Sequence, residues 1–545
     1  MNLTAEERVT GSANWDMTRR DFMIGTAAAG AVTASGLGAF YFGYKSVENP
    51  VRVGVIGTGD EGGVLMSNIS PDYLQVVAIA DIRPYNVWRA FHGDQTNADT
   101  LAARQGLISR YGWSNEDEAR KNVKVYTQGY QDLLNDPNVE MVIIALPLHL
   151  HAPVAIEAMA KGKHVLTEKL MAHNIGDCKK MAAAAKEHGK LLAVGHQRHY
   201  SVLYDDAVAS IRADVLGKIH HIRAQWHRVK DTWSPPLHDR LALDLAKQQD
   251  KLATLKPGAE YDDVHKKIRI LTEQVKDTNE NVQPEKNGYQ AMEFHGRNRS
   301  ALEELIRWRL WNRTGGGLMA ELGSHQLDAS SIFVSAAHPK GADGKSQKVK
   351  PLTVSATGGV HLYDKTQREC EDHVYCTYEF PAPGDDPDKK IVVTYSSING
   401  NGFGNYGEVV MGDKGTLVLD RESEVLLFPN GGAPARPAAA PTVAKVETKA
   451  AGAPAADSYE SGGGGPGAKK SGSSRGYTEE MEHFAYCLRN NLTIDDLRCN
   501  PKVAMADAII ALTTNIALRQ NKRVEFKPEW FDLDNPATPE ADLKA

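Results

Sequence analysis

The sequence predicts an α/β protein, in which a doubly wound parallel-sheet domain is followed by an α+β domain with an open, mostly antiparallel sheet. Three observations lead there. From Val51 onward short apolar runs alternate with helical stretches, and a glycine-rich turn closes the first of those runs. After Ser201 the runs become β-branched and alternating, with fewer helices between them; that is the pattern of strands with one face on a core.

In the first region VRVGVIG, QVVAIAD, VKVY, EMVIIAL, KHVLTE and KLLAVGH read as buried strands, and Pro153 to Lys161 and Ile175 to His188 carry helical spacing. Strand, helix, strand at this rhythm builds a parallel sheet covered on both faces. The domain is expected over 51–200, and the second over 201–535 with strands at Lys218 to Trp226, Leu352 to Val360, His373 to Phe380, Ile391 to Ser397 and Gly407 to Gly412. Two insertions interrupt it. Residues 237–281 are charged and broken at Lys256-Pro257-Gly258, which predicts a helical hairpin; residues 431–476 are rich in Ala, Pro, Gly and Ser, which predicts a disordered loop. Helices are expected again at Thr478 to Asn490 and Pro501 to Arg519.

A chain of 545 residues exceeds one typical core, consistent with two domains plus insertions. Lys and Arg number 63 against 69 Asp and Glu, a net charge of −6 with no basic patch, so nucleic acid is excluded as an expected partner. The five cysteines, Cys178, Cys370, Cys376, Cys487 and Cys499, are scattered and odd in number. Free buried thiols are expected, with Cys487 and Cys499 the one pair considered for a bridge.

Near the N-terminus, Thr18-Arg19-Arg20-Asp21-Phe22-Met23 precedes an uncharged, Ala- and Gly-rich stretch that runs to Tyr44. This resembles a twin-arginine export signal, which implies the twin-arginine export machinery as a partner and a periplasmic or exported location. Residues 1–45 are read as that signal or as a membrane anchor, since no small-x-small cleavage site follows and the stretch is about long enough to span a bilayer.

The turn after the first strand is Gly57-Thr58-Gly59-Asp60-Glu61-Gly62, a Gly-x-Gly-x-x-Gly between a strand and a helix. This is the Rossmann fingerprint for a dinucleotide. Gly57 permits the tight turn, Gly59 lets the backbone approach a pyrophosphate, and Gly62 allows close helix packing. Asp60 and Glu61 beside the phosphate site are mildly unfavourable unless they point to solvent. Asp81 closes the second strand where a carboxylate accepts the adenosine ribose hydroxyls and repels a 2′-phosphate, so NAD is favoured over NADP. Arg83, two residues on, pulls the other way, because it can stack on adenine or bind that phosphate.

Four further stretches fall in the order of the Gfo/Idh/MocA family of sugar dehydrogenases, which the chain resembles from about Val51 to Asp328. Ala145-Leu146-Pro147-Leu148-His149-Leu150-His151 is similar to the family's segment beside the nicotinamide, implying cofactor contacts from Pro147 and His149. The stretch ending Thr167-Glu168-Lys169 is similar to its Glu-Lys-Pro motif, with Leu170 in place of the proline. Gly195-His196-Gln197-Arg198 resembles the entry to its substrate domain. Gly315-Gly316-Gly317 through Glu321, His325 and Asp328 resembles its catalytic helix, with Glu321 where an aspartate is usual.

Oxidising a secondary alcohol needs a base for the hydroxyl proton, a cation for the developing alkoxide and a hydride acceptor. Lys169 at the C-terminal end of a strand can supply the cation, and His325 the base. On an α-helix Glu321, His325 and Asp328 share a face, so one carboxylate is expected to orient the imidazole and raise its basicity. Arg198, Tyr200, Trp226, His227, Arg228 and Trp233 are candidate substrate contacts, because aromatic faces and forked donors suit sugar rings, and Asp328 is a further candidate. No metal is expected: His149-x-His151 and His196-x-x-His199 lack a thiolate and helical spacing.

Three readings of function remain open at this level. One is an NAD-dependent oxidoreductase acting on a sugar or polyol, expected as a homo-oligomer through the exposed face of its second sheet. The second is a glycosidase or lyase in which transient oxidation to a ketone acidifies the neighbouring C–H and elimination expels the aglycone. The third is a non-catalytic binding protein on the same fold.

Overall fold

The computed structural model describes residues 3–26, 44, 47–230, 232–277, 282–342, 344–429 and 475–544. Most of the Ala/Gly stretch after the arginine pair, and the loop expected at 431–476 apart from Arg475 and Gly476, lie outside the described residues.

The first sheet comprises β1 (Val51–Ile56), β2 (Leu74–Ala80), β3 (Lys124–Tyr126), β4 (Met141–Ile144), β5 (His164–Glu168) and β6 (Leu192–Gly195). Their order is β3-β2-β1-β4-β5-β6, with every pairing parallel. Val53, Val55, Ile143 and Leu166 are fully buried because helices such as Asp60–Asn68, His151–Ala160 and Ile175–His188 cover the sheet. One cover comes from the far end of the chain. The helix Tyr477–Arg489 puts Tyr477, Met481, Phe484 and Cys487 into the same core as Val51, Val53 and Val55. The first domain is therefore completed by residues that a boundary at 200 assigns to the second.

The second sheet runs from β7 (Ile219–Arg228), past a hairpin of β8 (Met292–Phe294) and β9 (Arg297–Arg299), through β10 (Thr353–Gly359), β11 (His373–Pro381), β12 (Lys390–Asn399), β13 (Tyr406–Gly412), β14 (Gly415–Asp420) and β15 (Glu424–Pro429) to β16 (Val524–Glu525). The order is β15-β14-β13-β7-β12-β11-β10-β16, and only β7 and β12 pair in parallel. Along β11 the residues alternate between core and water, as a sheet with one covered face requires. The core face is packed by the helices Ser324–Ala337 and Pro501–Gln520. The latter is long and apolar enough to cross a membrane, and 83% of its apolar window is buried inside this fold.

The inserted segment comprises helices His238–Thr254 and Ala259–Lys276, separated by the Pro257-Gly258 break. It lies against the helix Pro84–His92 of the first domain, where the guanidinium of Arg269 sits 5.3 Å from the Trp88 ring. At the N-terminus the helix Ala5–Thr26 lies on β15: Arg8 pairs with Asp420 at 2.6 Å and with Glu424, and Trp15 is buried. All five cysteines are buried and free, so Cys487 and Cys499 form no bridge.

Candidate active site

A cleft of about 500 Å³ opens at the C-terminal ends of β1, β2, β4 and β5, where parallel sheets bind ligands. Its glycine turn fits a dinucleotide. Gly57 has φ +87°, and a Cβ there would stand 2.4 Å from the Ala145 carbonyl oxygen; a Cβ on Gly62 would stand 2.1 Å from the Gly57 oxygen. Gly59 meets nothing nearer than 3.6 Å, leaving its backbone open to the cleft beside the start of the helix Asp60–Asn68. Gly62→Ala is therefore expected to displace that helix and weaken NAD binding at least about tenfold, as read by calorimetric titration. An affinity within about twofold of the parent's counts against the cradle.

The two acidic residues of the turn do not both face water. Asp60 pairs with Arg89 at 2.7 Å. Glu61 turns inward, with a buried Oε1, and its carboxyl is pushed up by burial against the opposing charges of Lys169 and Arg104.

At the adenosine end Asp81 is held by its own loop. Its Oδ2 accepts from the Thr58 N–H at 2.8 Å and from Asn86 at 3.0 Å, and its Oδ1 from the Arg83 N–H at 2.8 Å. Thr58 is buried and serves that loop rather than lining the cleft. Arg83, Pro147, Glu168 and Lys169 do line it. His149 does not: its ring packs edge-on to Tyr289 at 5.6 Å, and burial pushes its pKa down to about 4. The cleft is lined instead by His151, two residues on, whose ring nitrogens meet the Leu146 and Leu170 carbonyls at 2.8 Å each.

Lys169, just past β5, is buried, and its Nζ donates to the backbone carbonyl of Glu321 at 2.7 Å. Burial pushes its pKa down, while Glu321, Glu168 and Glu61 support the charge. Glu168 is pushed well above the usual carboxylate range by burial and by Glu61. Glu321 lies on a π-helical turn, Met319–Gly323, and its carboxylate accepts from the Arg309 Nε at 2.9 Å.

His325 lines a smaller cavity of about 20 Å³ with Trp226, Arg228, Arg475 and Tyr477, and Glu321 lines both cavities. The His325 ring is 5.4 Å from that of Trp226. Burial, then the charges of Lys169 and Arg198, hold its pKa well below 6.5, so the imidazole is neutral. The carboxylate expected to orient it is bonded elsewhere in both cases. Glu321 serves Arg309, and Asp328 accepts from His199 at 2.8 Å and from Lys348 at 3.0 Å. The π turn winds an extra residue between Glu321 and His325, which breaks the α-helical register that the spacing implied.

Of the substrate candidates, Trp233 lines the large cleft, and Trp226 and Arg228 the small cavity. Arg198, Tyr200, His227 and Asp328 line neither. Arg198 is buried among Tyr204, Gln326 and Glu422; the Tyr200 hydroxyl accepts from the Cys499 N–H at 3.1 Å; His227 bonds the Phe403 carbonyl and Ser396. His196, Asp328 and Asp507 approach as metal ligands do, but the Lys348 ammonium lies between the two carboxylates, 3.0 Å and 2.5 Å away, and already supplies the cation. Sequence reasoning missed Arg309, Arg475 and Tyr477. No local motif marks them, because each reaches the site through tertiary packing.

The parallel sheet, the glycine cradle and the carboxylate after β2 define an NAD-binding Rossmann domain. Residues 51–196 match the Gfo/Idh/MocA family model, described as oxidoreductase family, NAD-binding Rossmann fold. The chain is 32% identical over 189 residues to an inositol 2-dehydrogenase of Rubrobacter xylanophilus, covering 33% of this chain and 45% of that one. It is 26% identical over 177 residues to a glycosyl hydrolase family 109 protein of Shewanella pealeana, covering 32% and 35%. The aligned stretches thus span less than half of these relatives. In fold the chain is similar to an aldose-aldose oxidoreductase from Caulobacter crescentus, crystallised with glycerol, at a TM-score of 0.52 and 15% identity, covering 88% of this chain and 100% of the other.

Proposed function

We propose that the protein is an NAD-dependent oxidoreductase that interconverts a secondary hydroxyl and a ketone on a sugar or polyol. One observation carries the reading: Lys169 and Glu321 line the same cleft as the glycine cradle. Bound NAD supplies the hydride acceptor. The Lys169 ammonium stabilises the developing alkoxide, and neutral His325 receives the hydroxyl proton. Trp233 offers an apolar face to a sugar ring in the cleft. The Thr18 to Met23 segment supports export by the twin-arginine route, which carries folded proteins and so allows cofactor loading beforehand.

Redox-assisted glycoside cleavage is the second reading, favoured by the likeness to the family 109 protein. One experiment separates the two. Purified protein is incubated with NAD and a panel of free sugars and polyols, and separately with nitrophenyl glycosides. Net formation of reduced nicotinamide from a free polyol is the expected result. Release of nitrophenol without net reduction replaces it with the second reading. Turnover of neither, with no nucleotide bound, leaves a binding protein.

A further inference from the structure

In the local sequence Asp81 repels a 2′-phosphate and favours NAD, while Arg83 weakens that exclusion. The structure opposes Arg83 from 194 residues away. At the end of the inserted hairpin, Asp277 accepts from the Arg83 Nε at 2.9 Å, and the Arg83 Nη2 lies 2.8 Å from the same oxygen. Its other oxygen accepts from the Tyr85 N–H at 2.7 Å, in the first turn of the helix Pro84–His92. The carboxylate is thus fixed by backbone on one side and engages the guanidinium on the other. Only 3% of the Asp277 side chain is exposed, so the pair is poorly screened.

We infer that Asp277 sets cofactor choice: it cancels the charge of Arg83 and adds a second carboxylate beside the ribose seat, so that the site takes NAD(H) and refuses NADP(H). The inference rests on the nucleotide-binding reading of the cleft. Asp81, Arg83 and Asp277 all line that cleft. Burial, opposed by Arg83, pushes the Asp277 carboxyl up, and Asp81 adds to the push, so the two acids feel one another. With Asp277 in place the three groups sum to one negative charge; without it they sum to zero. Other cations are poorly placed to compensate. Arg89 is engaged by Asp60 and Asp94, and Lys286 is exposed on the rim where water screens it.

The test is calorimetric titration of the full chain, stripped of nucleotide, with NAD⁺ and NADP⁺. Asp277→Asn keeps an acceptor for the Tyr85 N–H and removes the charge. It is expected to improve NADP⁺ binding relative to NAD⁺ by at least about tenfold, and adding Arg83→Ala is expected to erase that gain. An Asp277→Asn protein that melts like the parent and keeps the parent's ratio within about twofold overturns the inference. Asp277→Ser reads the same claim should Asp277→Asn not fold: it also removes the charge and is expected to raise NADP⁺ binding relative to NAD⁺ by at least about tenfold, whereas a ratio within about twofold of the parent's overturns the inference. Parent protein that binds neither dinucleotide overturns the functional reading itself, a result distinct from NAD⁺ binding with an unmoved ratio.

Discussion

Lys169→Met is expected to lower kcat by about 10²- to 10³-fold while NAD binds with nearly the parent affinity. The charge lies where it does because β5 ends at Glu168, so the next side chain enters the ligand edge of the sheet. A methionine nearly matches the shape and removes only the ammonium. The fold should tolerate that loss: Glu168 and Glu61, which support the charge, are themselves pushed up by burial and can hold protons, and the Glu321 carbonyl loses one hydrogen bond. A lost hydrogen bond of this kind costs about 1 kcal/mol. Alkoxide stabilisation acts on the transition state alone, so kcat should fall and nucleotide affinity should not. Steady-state kinetics on a polyol turned over by the parent, paired with calorimetry, checks both. An unchanged kcat removes Lys169 from the chemistry.

The parts of this molecule legible in the sequence are those whose cause is local. β1 to β6 are short apolar runs because helices cover both faces of their sheet, and the glycine turn is a contiguous motif with one geometric reason for each glycine. The Pro257-Gly258 break marks the hairpin equally well. What stayed hidden depends on partners distant in sequence. The helix Tyr477–Arg489 has an ordinary amphipathic pattern that does not say which core it joins, and β14 and β15 are read as strands only once β13 is there to pair with them. Asp277 closes a helix with no motif, and its meaning comes from Arg83. His149 and His151 look equivalent as text, yet the strand-to-helix turn after β4 aims only the second at the cleft. The grouping of Glu321, His325 and Asp328 assumed α-helical spacing, and the π turn at Met319–Gly323 is not visible in composition.

That turn decides the second large effect. His325→Gln is expected to lower kcat about 10²-fold and to change the pH profile in a particular way. A carboxylate against the imidazole would raise its pKa and put the acid limb of kcat/KM above the ordinary histidine value. In the structure Glu321 is taken by Arg309 and Asp328 by His199 and Lys348, while burial and the charges of Lys169 and Arg198 oppose a second proton on the ring. The base form therefore persists as pH falls through 6.5, and protonation sets in only well below it. In the parent, kcat/KM should hold level from about pH 8 down past 6.5 and fall only beneath that, and the Gln variant should lack this limb. A limb centred above 6.5 that disappears in the variant shows a carboxylate partner reaching His325 in the working enzyme, and a profile identical in both proteins removes the imidazole from proton transfer.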